Sequence, residues 1–76
     1  MEKFSERLKY LRKSEGLTQN QLAEILKTNN SSVCDGERGR SEPDLFTVVK
    51  IACYFDVSTD YLLGLENDLG EKIKPN

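Results

Sequence analysis

Apolar residues recur along this chain at helical spacing, and no stretch alternates apolar with polar long enough to suggest a strand. Phe4, Leu8 and Leu11 stand at i, i+4 and i+7 among Glu6, Arg7, Lys9, Arg12 and Lys13, which predicts a first helix stopped at Gly16. Thr18 and Gln21 form an S/T-x-x-E/Q capping box, and Leu17 and Leu22 occupy the two ends of a hydrophobic staple. A second helix therefore begins at Thr18 and runs through Leu22, Ala23, Ile25 and Leu26. After the polar interval Lys27-Thr28-Asn29, either Asn29 or Asn30 caps a third helix expected from Asn30 to Arg38 and closed by Gly39. Arg40-Ser41-Glu42-Pro43 reads as a loop. Asp44 then caps a fourth helix whose Leu45, Val48, Val49, Ala52 and Phe55 form an apolar stripe expected to face the core. Val57, Ser58 and Leu62 repeat the cap and staple for a short fifth helix ending at Gly64. The pattern predicts an all-α fold of five helices.

The chain has 76 residues, 37% apolar and 32% charged, which suits one small globular domain with a thin core. That domain is expected over residues 1–64. Residues 65–76 carry loop formers and read as a frayed tail or, from the four-residue spacing of Leu65, Leu69 and Ile73, as a weak extra helical turn that helps a partner dock. No apolar run approaches the roughly 18 residues of a membrane span, and the N-terminus lacks the apolar stretch of a secretory signal. A cytoplasmic location and no membrane partner are the expectation. No attached sensor domain is expected, and no small-molecule ligand is indicated.

Charge and chemistry narrow the function. Eleven basic residues against thirteen acidic ones leave a net charge of −2, so any polyanion must be met locally rather than by the whole surface. Histidine is absent, which excludes Ser-His-Asp, Cys-His and His-ligated metal chemistry. Cys34 and Cys53 lack the further ligands of a zinc site, and a cytosolic disulfide would be unusual, so both read as small semi-buried thiols. No spacing assembles a nucleophile with a base, and Gly36 to Gly39 does not match a phosphate-binding loop. Neither catalysis nor a metal nor a cofactor is expected.

Two short helices joined by about three residues, the second headed by Asn29-Asn30-Ser31-Ser32, match helix-turn-helix architecture. In that geometry the second helix lies in a major groove. Asn30 can pair with N6 and N7 of adenine, and serine hydroxyls can donate or accept. Free amides at each helix N-terminus suit a phosphate near Gln19, Asn20 and Asn29.

Four blocks in one order carry a wider resemblance: Arg7-Leu8-Lys9-Tyr10-Leu11-Arg12; Gly16-Leu17-Thr18-Gln19 with Gln21-Leu22-Ala23; Glu37-Arg38-Gly39-Arg40 with Glu42-Pro43-Asp44-Leu45; and Ile51-Ala52 leading to Val57-Ser58-Thr59-Asp60-Tyr61-Leu62-Leu63-Gly64. Over Phe4 to Gly64 the chain resembles the Cro/CI, or xenobiotic-response-element, family of helix-turn-helix regulators. The resemblance implies a five-helix, lambda-repressor-like domain, with the helix-turn-helix at helices two and three. It implies a transcriptional regulator, most often a repressor, that binds a double-stranded DNA operator as a homodimer. By position, Gln19 would hold a phosphate and buttress the reading helix, and Asn29 would contact backbone. Asn30, Ser31, Ser32 and Asp35 would face bases, while Arg38 and Arg40 would touch or steer backbone. Arg12 and Glu37 would form a structural ion pair. A dimer would form through the fifth helix, with Tyr54, Tyr61 and Leu65 as interface candidates or, equally, ordinary core and partly exposed side chains.

Three positions depart from the family pattern. Lys27 stands where the family usually has glycine, at a turn position favouring positive φ. Gly36 stands where a large residue is common. Asp35 replaces a basic or amide residue, and either accepts from a cytosine N4 amine or remains a solvated carboxylate. Lys27, Arg38 and Arg40 gather at the proposed DNA face, whereas Asp56, Asp60, Glu66, Asp68 and Glu71 belong to the C-terminal part. The net negative charge, Asp35 and Gly36 also fit a second class of function, a protein-binding helical adaptor or antitoxin-like partner.

Overall fold

The computed structural model describes residues 2–67 together with 71 and 72. Five helices follow one another: α1 (Glu2–Ser14), α2 (Gln19–Leu26), α3 (Asn30–Arg38), α4 (Leu45–Phe55) and α5 (Thr59–Leu63). Each start from α2 onward is set by a side chain that takes up a free first-turn amide. Thr18 Oγ1 accepts from Gln21 N at 3.1 Å while Gln21 Oε1 accepts from Thr18 N at 2.8 Å, completing the capping box. The α3 cap is Asn29 rather than Asn30, its Oδ1 accepting from Ser32 N at 2.8 Å. Asp44 and Ser58 cap α4 and α5 in the same way.

The helix ends use left-handed residues at Lys27, Gly39, Asp56 and Gly64. Lys27 adopts the glycine-like conformation outright, with φ 57°. A side chain there costs roughly 1–2 kcal/mol. Two hydrogen bonds offset that cost, from Lys27 N to Glu24 O at 3.2 Å and from Thr28 N to Ala23 O at 2.9 Å. Lys50 Nζ also donates to Leu26 O at 3.1 Å, satisfying another open carbonyl of α2.

Every helix contributes to one core: Phe4, Leu8 and Leu11; Leu22, Ala23 and Leu26; Val33; Val48, Ile51 and Ala52; and Leu62. Leu17 and Val57, the outer staple residues, pack against it half-buried. The α4 stripe differs from expectation. Val48 and Ala52 are buried and Phe55 packs on the core, but Leu45 is 80% and Val49 47% exposed, and Ile51 is buried in their place. At about 100° per residue the buried positions occupy the arc centred between Ile51 and Ala52, and Leu45 and Val49 fall outside it. Gly36 lies on the buried side of α3 without a positive φ. A Cβ built there would meet Leu8 Cδ2 at 3.4 Å and Phe4 Cε2 at 3.9 Å, which is ordinary contact.

Beyond α5 the described residues double back. Glu66 and Lys72 form an isolated antiparallel bridge, Asn67 N donates to Glu71 O at 2.9 Å, and Lys72 pairs with Asp60 and with Glu66. The described residues of this stretch, 65–67, 71 and 72, are bridged and paired rather than helical. The part of the expected helical turn resting on Leu69 and Ile73 lies outside the described residues.

Candidate nucleic-acid interface

Helix α3 is held at its C-terminal end by one carboxylate. Glu37 Oε2 accepts from Arg12 Nε at 2.5 Å, and Oε1 accepts from Arg12 Nη2 at 3.0 Å and from Gln19 Nε2 at 3.2 Å. Arg12 Nη1 also donates to Leu17 O at 2.8 Å. The expected Arg12–Glu37 pair is therefore present, and it ties α1, the start of α2 and the end of α3 to a single point. The Glu37 side chain is 3% and that of Arg12 11% exposed. Hydrogen bonding to Glu37 raises the Arg12 pKa above its ordinary value against the opposing effect of burial, so the guanidinium stays charged. A planar fork meeting a carboxylate through two bonds is the strong form of such a pair.

The opposite end of α3 is open. Asn29, Asn30, Ser31 and Ser32 are all exposed. The Asn29 oxygen serves as the cap, which leaves the amide nitrogen of this exposed residue as a further donor. Among the described residues no side chain of the protein takes up Asn30, Ser31 or the Ser32 hydroxyl. Gln19 is half-buried and its amide buttresses Glu37. Arg38, Arg40 and Lys27 are exposed cations around the same helix and turn. Asp35 is half-buried rather than fully solvated, and its backbone carbonyl accepts from Arg40 N at 2.9 Å. The arrangement presents amide and hydroxyl groups at one helix end, with positive charge beside them and a rigid clamp behind.

The remaining candidates lie away from this surface. Tyr54 is 46% exposed and meets Phe55 edge-to-face at 5.0 Å, and Leu65 is 46% exposed. Tyr61 is half-buried with the Arg7 guanidinium over its ring, 4.2 Å from the centroid. Arg7 also donates to the carbonyls of Tyr61 and Glu66, pinning α5 and the returning tail to α1. The sequence gives no local signal for that role, because its partners lie more than fifty positions away. Phe46, 79% exposed beside Leu45, was likewise missed. Cys34 is half-buried as expected, but Cys53 is exposed. Among the described residues no group of three acidic or thiol ligands could hold a metal, and no helix is long and apolar enough to cross a membrane.

The helix-turn-helix family HTH_3 matches residues 8–62 of the chain. This chain belongs to the HTH_3 family. The HTH_3 domain is 42% identical over 61 residues to the HTH-type transcriptional regulator ImmR of Bacillus subtilis, a match covering 80% of this chain and 48% of ImmR. The chain thus spans about half of that relative's length. Among solved structures, the HTH_3 domain is similar to SinR of Bacillus subtilis in complex with DNA, with TM-score 0.72, 30% identity, and 79% of this chain and 97% of that one covered. It is also similar to the P22 c2 repressor in complex with a synthetic operator, with TM-score 0.73, 25% identity and coverage of 78% and 89%. The five-helix, lambda-repressor-like architecture expected from the four sequence blocks is the architecture of these neighbours.

Proposed function

We propose that this domain binds double-stranded operator DNA in a sequence-specific way and regulates transcription as a repressor, with α3 in the major groove. The exposed Asn30-Ser31-Ser32 edge, on a helix clamped at its far end by Glu37, is the observation that carries this reading. Asn30 pairs with adenine, Ser31 and Ser32 adapt to neighbouring bases, and Asp35 favours a cytosine amine over a phosphate. Gln19, Asn29, Arg38 and Arg40 meet the DNA backbone. Residues 1–64 form the binding unit. Two copies associate through a surface that includes Tyr54, Tyr61 and Leu65, and occupy half-sites about 34 Å apart. The protein acts in the cytoplasm by binding, without a catalytic step. Three relatives support the reading: ImmR is named a transcriptional regulator, and the SinR and P22 c2 structures contain DNA.

Selection of bound duplexes from a random pool, followed by affinity measurements in rising salt, tests it. Lys27, Arg38 and Arg40 in each of two subunits would release counterions from about six phosphates, so log K should fall against log salt with a slope of about −5. Asn30→Ala, at unchanged helical content, should weaken the selected site by about tenfold or more and relax preference at one base pair. No duplex binding even at low salt would discard the proposal in favour of a protein-binding adaptor.

A further inference from the structure

Helix α4 carries two apolar stripes, and the described residues cover only one of them. Of its eleven residues a single one, Lys50, is charged. A helix that is apolar over most of its circumference belongs in an interior. Val48, Ile51 and Ala52 meet that expectation in the core, whereas Leu45 is 80%, Phe46 79% and Val49 47% exposed, and Cys53 is exposed as well. At about 100° per residue, Leu45, Val49, Cys53 and Phe46 fall in that order within an arc of about 100°. No charged residue of α4 interrupts the arc. Lys50 borders it, and its ammonium is drawn to Leu26 O of α2 at 3.1 Å.

We infer that this stripe is the contact between two copies of the chain, with α4 lying antiparallel against α4 of the second copy across a two-fold axis. This deepens the two-copy part of the reading above and moves the centre of the contact to α4. Phe46 at its exposure presents about 150 Å², and the four residues together about 400 Å². That is within the range of about 300–600 Å² for the largest apolar patch on a monomer. Counted on both copies and with its polar rim, the face buries on the order of 1,000 Å², the size at which specific interfaces begin. An uncharged face meets its own copy without like-charge repulsion, as an isologous contact requires, whereas a strongly acidic or basic partner calls for opposite charge. Antiparallel pairing also sets the positive end of each α4 dipole beside the negative end of the other. An area at the low end, without charged anchors, gives a reversible dimer with a Kd of about 1–100 µM.

Sedimentation equilibrium of the full chain, without DNA and under reducing conditions that keep Cys53 from cross-linking, tests the contact. A monomer–dimer equilibrium is expected between about 5 µM and about 1 mM. Backbone amide NMR shifts on dilution should concentrate at Phe46, Val49 and Cys53. Phe46→Glu should raise the dimer Kd by about thirtyfold or more, because a charge replaces the largest apolar side chain of the contact. The fold should survive that change, since the position is 79% exposed and a carboxylate in the first turn of a helix is favoured. Tyr10→Glu, at an exposed position of α1 outside the stripe, should leave the Kd unchanged. A chain that stays monomeric up to about 1 mM overturns the inference and leaves the stripe to a different protein. A dimer unaffected by Phe46→Glu, or dilution shifts confined to Tyr61 and Leu65, overturns it equally. Duplex binding measured on the same samples separates the two readings: a dimer of this kind that binds no DNA removes only the DNA-binding reading, and a monomer that binds DNA removes only the α4 contact.

Discussion

Glu37→Gln is the sharpest test of the clamp that holds the end of α3. The substitution keeps size and one acceptor oxygen but removes the charge facing Arg12, whose side chain is only 11% exposed. Breaking one partner of a buried ion pair costs about 3–5 kcal/mol, because the other charge is left without compensation. Arg12 would retain its bond to Leu17 O and some contact with water, which argues for the lower end, about 3 kcal/mol. A chain of this length has a total stability of roughly 4–11 kcal/mol, so the loss is a large share of it. At about 4–8 °C per kcal/mol, Tm should fall by about 12–24 °C in a circular-dichroism melt. Pairing Arg12→Met with Glu37→Leu should recover much of the loss, since a hydrophobic replacement of both partners avoids the stranded charge. A fall of less than about 3 °C in Glu37→Gln would refute the reasoning, because it would mean that water compensates Arg12 without help from Glu37.

Gly36→Ala should raise Tm by about 4–8 °C, from about 1 kcal/mol of helix propensity with no steric cost at Leu8 or Phe4; a lower Tm would show that the neighbouring contacts are tighter than 3.4 Å implies. Lys27→Gly should be stabilising by about 0.5–1 kcal/mol in denaturant unfolding, because glycine accepts the left-handed φ of the α2–α3 turn; destabilisation would mean that the lysine stem contributes packing of its own. The Asp44 carboxyl is held below the usual carboxylate range by its hydrogen bonds from Thr47, side chain first and backbone second. A depressed folded-state pKa gives stability that is present above the unfolded value and lost as pH falls through the folded one. Acid unfolding should therefore show a component on the acid side of about pH 4 that disappears in Asp44→Asn, and an NMR titration of the carboxyl with an ordinary midpoint would contradict this.

The helices were readable because their punctuation is local. Thr18, Asn29, Asp44 and Ser58 each sit next to the amides they cap, so three or four residues suffice to place a helix start. The helix-turn-helix and its exposed Asn30-Ser31-Ser32 edge followed from the same short-range signals. What failed was orientation. In α4 the apolar pairs Leu45-Phe46, Val48-Val49 and Ile51-Ala52 define several equally good stripes, and only packing against α2 and α5 selects one. The Arg12–Glu37 pair was visible only through family resemblance, because twenty-five positions separate the partners. The buttressing role of Gln19 likewise came only with that resemblance, whereas Arg7 as the residue that secures the tail depends on tertiary neighbours that no periodicity reports.

The uneven anchoring of α3 has a consequence for how such a protein can change. Its far end is locked through Glu37, and its cap uses only the Asn29 oxygen, so residues 30 and 31 bear on stability little more than any surface position. Under the proposed DNA-binding reading, mutations there would change which sequence is addressed without unfolding the domain. On the same reading, specificity would thus be altered at an exposed lip, whereas breaking one partner of the Arg12–Glu37 anchor would cost stability.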